Sequence, residues 1–127
     1  MDKLNRTLLI NAVIDKKIDE VEKCLLGGVD INAQDKLGKS ALHYAAQNFS
    51  LEIAASLLRR ECKVDLQDMH GNSPLSEAVF NSAGRGDMIS ILIQFGADKN
   101  LKNKHGVSPL ELAETITNYQ IKKFLLD

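Results

Sequence analysis

A period of about 33 residues runs through this chain. Asp35 recurs as Asp68, 33 residues on, and as Asn103 after a further 35. In the same phase stand Gly38, Gly71 and Gly106, then Ser40, Ser73 and Ser108, with Thr7 earlier. Leu42, Leu75 and Leu110 follow each serine by two places, and Ala45, Ala78 and Ala113 by five. Glycine lacks a Cβ and reaches positive φ, which suits a tight turn. The serine offers its hydroxyl to a free N–H at the start of a helix. Both prolines of the chain, Pro74 and Pro109, directly follow such a serine. That is the first helical position, where a missing N–H costs nothing. Self-similarity at this spacing marks a repeat array.

Within one unit the pattern gives two short helices. Leu42 to Ala46 carry the first apolar run; Leu51, Ile53, Ala54, Leu57 and Leu58 carry the second, after a break at Asn48-Phe49-Ser50. Neither is long enough to be stable alone in water, so each must bury its apolar face on a neighbour. The units run over about 2–34, 35–67, 68–102 and 103–127, and residues 1–127 are expected to form one domain.

The units differ in informative ways. In the first, Gly27-Gly28 offers positive φ at a helix end. That unit has Asn5 in place of the turn glycine and lacks the proline, as suits a terminal cap. Asp15, Lys16, Lys17, Asp19, Glu20, Glu22 and Lys23 are expected to give it a polar outer face. In the second unit Glu61 stands where a glycine should end the helix; if it takes positive φ, glycine is expected to stabilise there. The third is two residues longer, and the excess falls in 82–87, where glycines beside Arg85 predict a mobile bulge. Arg85-Gly86-Asp87 is read there as ordinary loop chemistry. The last unit is expected to end in a second helix over 118–126, with Lys122 and Lys123 favouring its dipole.

These residues carry a resemblance. Ser-Ala-Leu-His-Tyr-Ala-Ala (40–46), Ser-Pro-Leu-Ser-Glu-Ala (73–78) and Ser-Pro-Leu-Glu-Leu-Ala (108–113) resemble the ankyrin-repeat motif Thr-Pro-Leu-His-x-Ala. Gly28-Val29-Asp30-Ile31-Asn32 and Gly96-Ala97-Asp98-Lys99-Asn100 are similar to that family's Gly-Ala-Asp-x-Asn hairpin. The resemblance implies an all-α ankyrin-repeat solenoid of stacked helix–turn–helix units with short hairpin fingers. It also implies that His43 is structural, bonding backbone between neighbouring repeats. The matching positions Ile10, Ser76 and Glu111 cannot repeat that bond.

Composition and motifs narrow the function. Hydrophobic content of 44% and charged content of 26% are ordinary for a soluble chain, and the net charge of −1 argues against nucleic-acid binding. No run of 18 apolar residues exists, so no membrane span is expected. The stretch Met1-Asp2-Lys3-Leu4-Asn5-Arg6 has no apolar signal core, and a cytoplasmic chain is the expectation. Cys24 and Cys62 fall inside repeats and are read as reduced core cysteines. No phosphate loop, nucleophile elbow or His-Glu-x-x-His run is present, so no catalytic residue, cofactor or small-molecule substrate is expected. His70 and His105 share a register position, but no third ligand stands in line, and no metal is expected.

Surface remains, and in the family partners lie on the concave side. Carried over by position, the finger-tip candidates are Lys36, Leu37, Lys39, Met69, His70, Asn72, Lys104, His105 and Val107. On the exposed faces of the first helices they are Tyr44, Gln47, Asn48, Glu77, Phe80 and Asn81. With Lys3 and Arg6, the finger tips form a basic row without an acid, which complements an acidic protein surface. Tyr44 and Phe80 are expected to be its aromatic anchors. The resemblance thus implies a non-catalytic protein-binding module, acting as a stoichiometric inhibitor or masking protein. Small bacterial ankyrin proteins that neutralise a toxin, as immunity proteins do, are similar in size and plan. The alternative is an adaptor bridging two proteins.

Overall fold

The computed structural model describes residues 3–116 and 119–126. Its helices come in pairs: α1 (Leu8–Ile14) with α2 (Ile18–Leu26), α3 (Ala41–Gln47) with α4 (Leu51–Arg59), and α5 (Pro74–Phe80) with α6 (Asp87–Gln94). α7 (Pro109–Thr115) pairs with a 3-10 helix, η1 (Tyr119–Phe124). No strand occurs among the described residues. The first helices stack in the order α1, α3, α5, α7, and α2, α4 and α6 form a second layer. The all-α solenoid is therefore present.

Each first helix starts for the reason its sequence gives. Thr7, Ser40, Ser73 and Ser108 are extended N-caps whose hydroxyls accept the N–H of Ile10, His43, Ser76 and Glu111. Behind the caps, Leu42, Ala45, Ala46, Leu75, Ala78 and Val79 are at most 1% exposed. Alanine at 45 and 78 keeps the helices close, and the flanking leucines fill the space between layers. Burial of one such leucine is worth about 2 kcal/mol. Met88, Ile89, Leu92, Ile121 and Leu125 extend the same core toward the last unit.

The turns preceding these helices form the fingers. In the three fingers after the first, one side-chain oxygen holds two backbone N–H groups. Asp35 Oδ1 takes those of Leu37 and Lys39 at 2.9 and 3.0 Å, and Asp68 Oδ1 those of His70 and Asn72, both at 2.9 Å. Asn103 Oδ1 does the same for His105 and Val107 at 2.9 and 3.0 Å. One backbone bond then links each finger to the next: Lys36 to Leu4 O (2.7 Å), Met69 to Leu37 O (2.8 Å) and Lys104 to His70 O (3.0 Å). Gly38 and Gly71 sit at these crossings with φ of 78° and 80°. Asn5 substitutes in the first finger at φ 56°, a conformation asparagine tolerates.

His43 couples adjacent units, as its motif implies. Its Nδ1 accepts the Ser40 N–H at 3.1 Å, and Nε2–H donates to Asn72 O at 2.8 Å. Glu111 repeats only the local half, accepting the Ser108 N–H at 3.2 Å.

Glu61 has φ 61°, which meets the condition posed for it. Glycine there removes the left-handed penalty, so Glu61→Gly is expected to raise stability by about 1 kcal/mol. A urea midpoint that stays put or falls would show that the glutamate side chain contributes more than its strain costs. Cys24 and Cys62 are free thiols; Cys62 is buried, and burial pushes its pKa up to about 11.

Two expectations need correction. The last unit closes with a 3-10 helix over 119–124 in place of an α-helix over 118–126; Asn118 lies outside the described residues. Tighter winding still buries Ile121 and, just beyond it, Leu125; Lys122 and Lys123 stand in its last turn as expected, and Lys99 donates to Leu125 O (2.8 Å). The Arg85 loop is pinned. The Arg85 guanidinium lies 4.0 Å from the Phe49 ring centroid, its Nε donates to Ser82 O at 3.0 Å, and Phe124 packs on Gly86. Glu22, though partly exposed, also reaches the next unit: it accepts the Ser56 hydroxyl and pairs with Arg60 at 3.2 Å. The Ser56 bond, ahead of Arg60, holds its carboxyl below the usual range.

Candidate partner-binding groove

Fingers and first helices meet along a groove of about 450 Å³. Lys39, Asn72, Asn103 and Val107 line its finger wall; Gln47, Ser76, Glu77, Phe80, Asn81, Ser108 and Leu112 line its helix wall. A smaller hollow of about 160 Å³ shares Lys39, Asn72 and Glu77 with it and adds Leu37, Asp68, Met69 and His70.

Phe80 dominates the groove because 71% of it is exposed on the last turn of α5. Around it the side chains are polar and ordered by one another. Lys39 Nζ donates to Gln47 Oε1 at 2.9 Å and stands 3.9 Å from Glu77 Oε1. Asn103 Nδ2 donates to Asn72 Oδ1 at 2.9 Å, and Asn81 Nδ2 to Glu77 O at 2.9 Å. Burial raises the Glu77 carboxyl above its ordinary value, against the pull of Lys39. An aromatic ring set among hydrogen-bonded amides can bury apolar surface and align backbone polar groups together.

Ten of the expected residues line the two depressions: Leu37, Lys39, Gln47, Met69, His70, Asn72, Glu77, Phe80, Asn81 and Val107. Lys36, Lys104 and His105 are exposed on the fingers outside them, and Asn48 is half-buried as the C-cap of α3. Tyr44 is not on the surface. It is 5% exposed, and its hydroxyl donates to Asp35 Oδ2, so the ring serves the core. Burial, with the Asp35 bond behind it, pushes the phenol up to about 12. The basic row is also thinner than its sequence. Arg6 Nε stands 3.7 Å from Asp35 Oδ2, and Lys39 is turned to Gln47 and Glu77.

The family model for ankyrin repeats, in three copies, matches residues 9–103. The chain belongs to the ankyrin-repeat family. The fourth finger–helix unit of this ankyrin array, closed by η1, lies beyond the matched span. Relatives include the BTB/POZ domain and ankyrin repeat-containing protein NPR5 of Oryza sativa subsp. japonica, 28% identical over 93% of this chain and 23% of the relative. B-cell lymphoma 3 protein of Homo sapiens is 37% identical over 86% of the chain and 24% of its own length. Protein PhlB of Serratia liquefaciens is 35% identical over 87% of the chain and 48% of its own length. The chain thus spans from about a quarter to about half of these proteins. Ankyrin repeats are protein–protein interaction modules, in general without catalysis. Among the described residues no helix is long and apolar enough to cross a membrane.

Asp68 and Asn103 were not among the residues picked from the ankyrin motif. Both open fingers, and their turn-forming role is legible in the sequence; that Asp68 lines the smaller hollow and Asn103 the groove is not.

Proposed function

We propose that this ankyrin array acts by occupying and masking another protein through its concave groove, without turnover. The exposure of Phe80 among Gln47, Asn72 and Asn81 carries this reading. A large aromatic ring left in water at the centre of a groove is the anchor type that dominates interface energies. Exposed Lys3, Lys36 and Lys104 leave the fingers cationic enough to favour an acidic rim on the partner. The role read from this is that of a stoichiometric inhibitor, of the kind a toxin-neutralising immunity protein exemplifies. The free thiols of Cys24 and Cys62 fit the cytosol.

The test is capture of a partner from the source cell, followed by Phe80→Ala. Binding should weaken by about 2 kcal/mol, roughly 30-fold, while the melting temperature hardly moves. Unchanged affinity would remove Phe80 as the anchor. Two proteins held at once by one chain would make it an adaptor instead.

A further inference from the structure

Asp35 and Asp68 make the same turn one repeat apart, but only one of them is complete. Asp35 Oδ1 holds the finger, while Oδ2 takes the Tyr44 hydroxyl and lies 3.7 Å from Arg6 Nε. The Arg6 guanidinium also sits 5.5 Å from the Tyr44 ring centroid. Carboxylate, phenol and guanidinium therefore close that site, with no net charge.

Thirty-three residues on, the three positions are Asp68, Glu77 and Lys39. Asp68 is 5% exposed and its Oδ1 again holds two backbone N–H groups. Its Oδ2 has no hydrogen-bond or ion-pair partner among the described residues, and Asp68 lines the 160 Å³ hollow. The donor Tyr44 has become the acceptor Glu77. Lys39 does not take up the role of Arg6, because Gln47 holds its ammonium at 2.9 Å on the Glu77 side. Two carboxylates face one ammonium, so the site is one positive charge short.

We propose that this hollow receives an arginine side chain of the bound protein, which rests on the reading that the groove takes a protein partner. A planar guanidinium carries five N–H donors, enough to serve both Asp68 Oδ2 and Glu77 in the wall of the hollow, whereas an ammonium is a compact point charge. Half-buried Leu37 and half-exposed Met69 flank the hollow and cover the methylene stem. Lys39 opposes the incoming charge, but its own charge is already offset by Glu77. The partner surface is then mixed, acidic toward the outer fingers with an arginine at this point.

The probe is N-acetyl-arginine amide, titrated into the full chain and followed by amide NMR, with the neutral citrulline analogue as control. Arginine should shift the His70 and Asn72 amides saturably, and citrulline should not. Asp68→Asn keeps the turn, since Asn103 holds an identical one, and should weaken the arginine effect at least tenfold. Glu77→Tyr rebuilds the closed arrangement of the preceding repeat and should abolish it. Equal shifts from citrulline, no saturation with arginine, or an unaffected Asp68→Asn variant would each overturn the proposal. Partner capture that depends on Phe80, beside a flat arginine titration, overturns this inference and leaves the groove reading standing. A saturable arginine response beside capture indifferent to Phe80 does the reverse.

Discussion

Gly71→Ala is expected to cost about 3 kcal/mol, whereas Gly106→Ala costs only about 1. Both glycines have nearly the same φ, 80° and 77°, so the left-handed penalty of roughly 1 kcal/mol is common to them. They differ in what an added methyl meets. At Gly71 it would stand 2.6 Å from the Lys104 nitrogen and 3.0 Å from Asn103 Cα; at Gly106 nothing lies within 4 Å. Backbone cannot swing aside as a side chain can. The fingers must part, and the bond from Lys104 N–H to His70 O goes with them, a net loss of about 1 kcal/mol at these exposed residues on top of the contact itself. Urea midpoints of the two variants measure the difference directly. Equal losses would mean that finger contact contributes nothing beyond local conformation.

His43→Ala is expected to lose about 3 kcal/mol at pH 7.5 and to flatten the pH dependence of stability. The imidazole is fully buried and spans Ser40 N–H and Asn72 O, so its removal strands a donor in one repeat and an acceptor in the next. Both bonds need the neutral ring with its proton on Nε2. Burial, only partly countered by the Asn72 carbonyl, holds the pKa below the ordinary 6.5. A depressed folded pKa means that the unfolded chain takes up the proton first. The contribution is therefore complete above pH 6.5 and declines as pH falls toward the lowered value, by at most about 1.4 kcal/mol per pH unit. The raised carboxyls of Glu77 and Asp65 act in the opposite sense, but they are present in both proteins and cancel in the comparison. Parallel stability curves between pH 7.5 and 5.5 would refute the neutral bridge.

The fold was legible because its determinants are local and repeated. Turn glycine, cap serine, proline and small helix residues each act within a few positions of themselves, and their recurrence fixes the stacking. Glu61 and His43 could be assigned on the same grounds. Tyr44 could not: the matching position of the next repeat holds the half-buried, groove-lining Glu77, and the bond to Asp35 with Arg6 alongside holds the phenol inward. The last helix failed for a related reason. Its periodicity was helical, but α7 ends in an extended Ile116, and the tighter winding of η1 is a tertiary result. Groove membership is legible for Gln47, Glu77, Phe80 and Asn81 on the helix faces, but not for Ser76, Ser108 and Leu112 beside them, nor for Asp68 and Asn103, whose side chains also serve turns.

Each finger is tied to the next by one backbone bond, and the helix pairs in extensive contact belong to the same or adjacent units. Such a molecule has the mechanics of a stack of coins rather than of a knot. Drawn out by its ends, it should give way one coin at a time, in a sawtooth of small rips, with the outermost going first and the His43 joint holding longest.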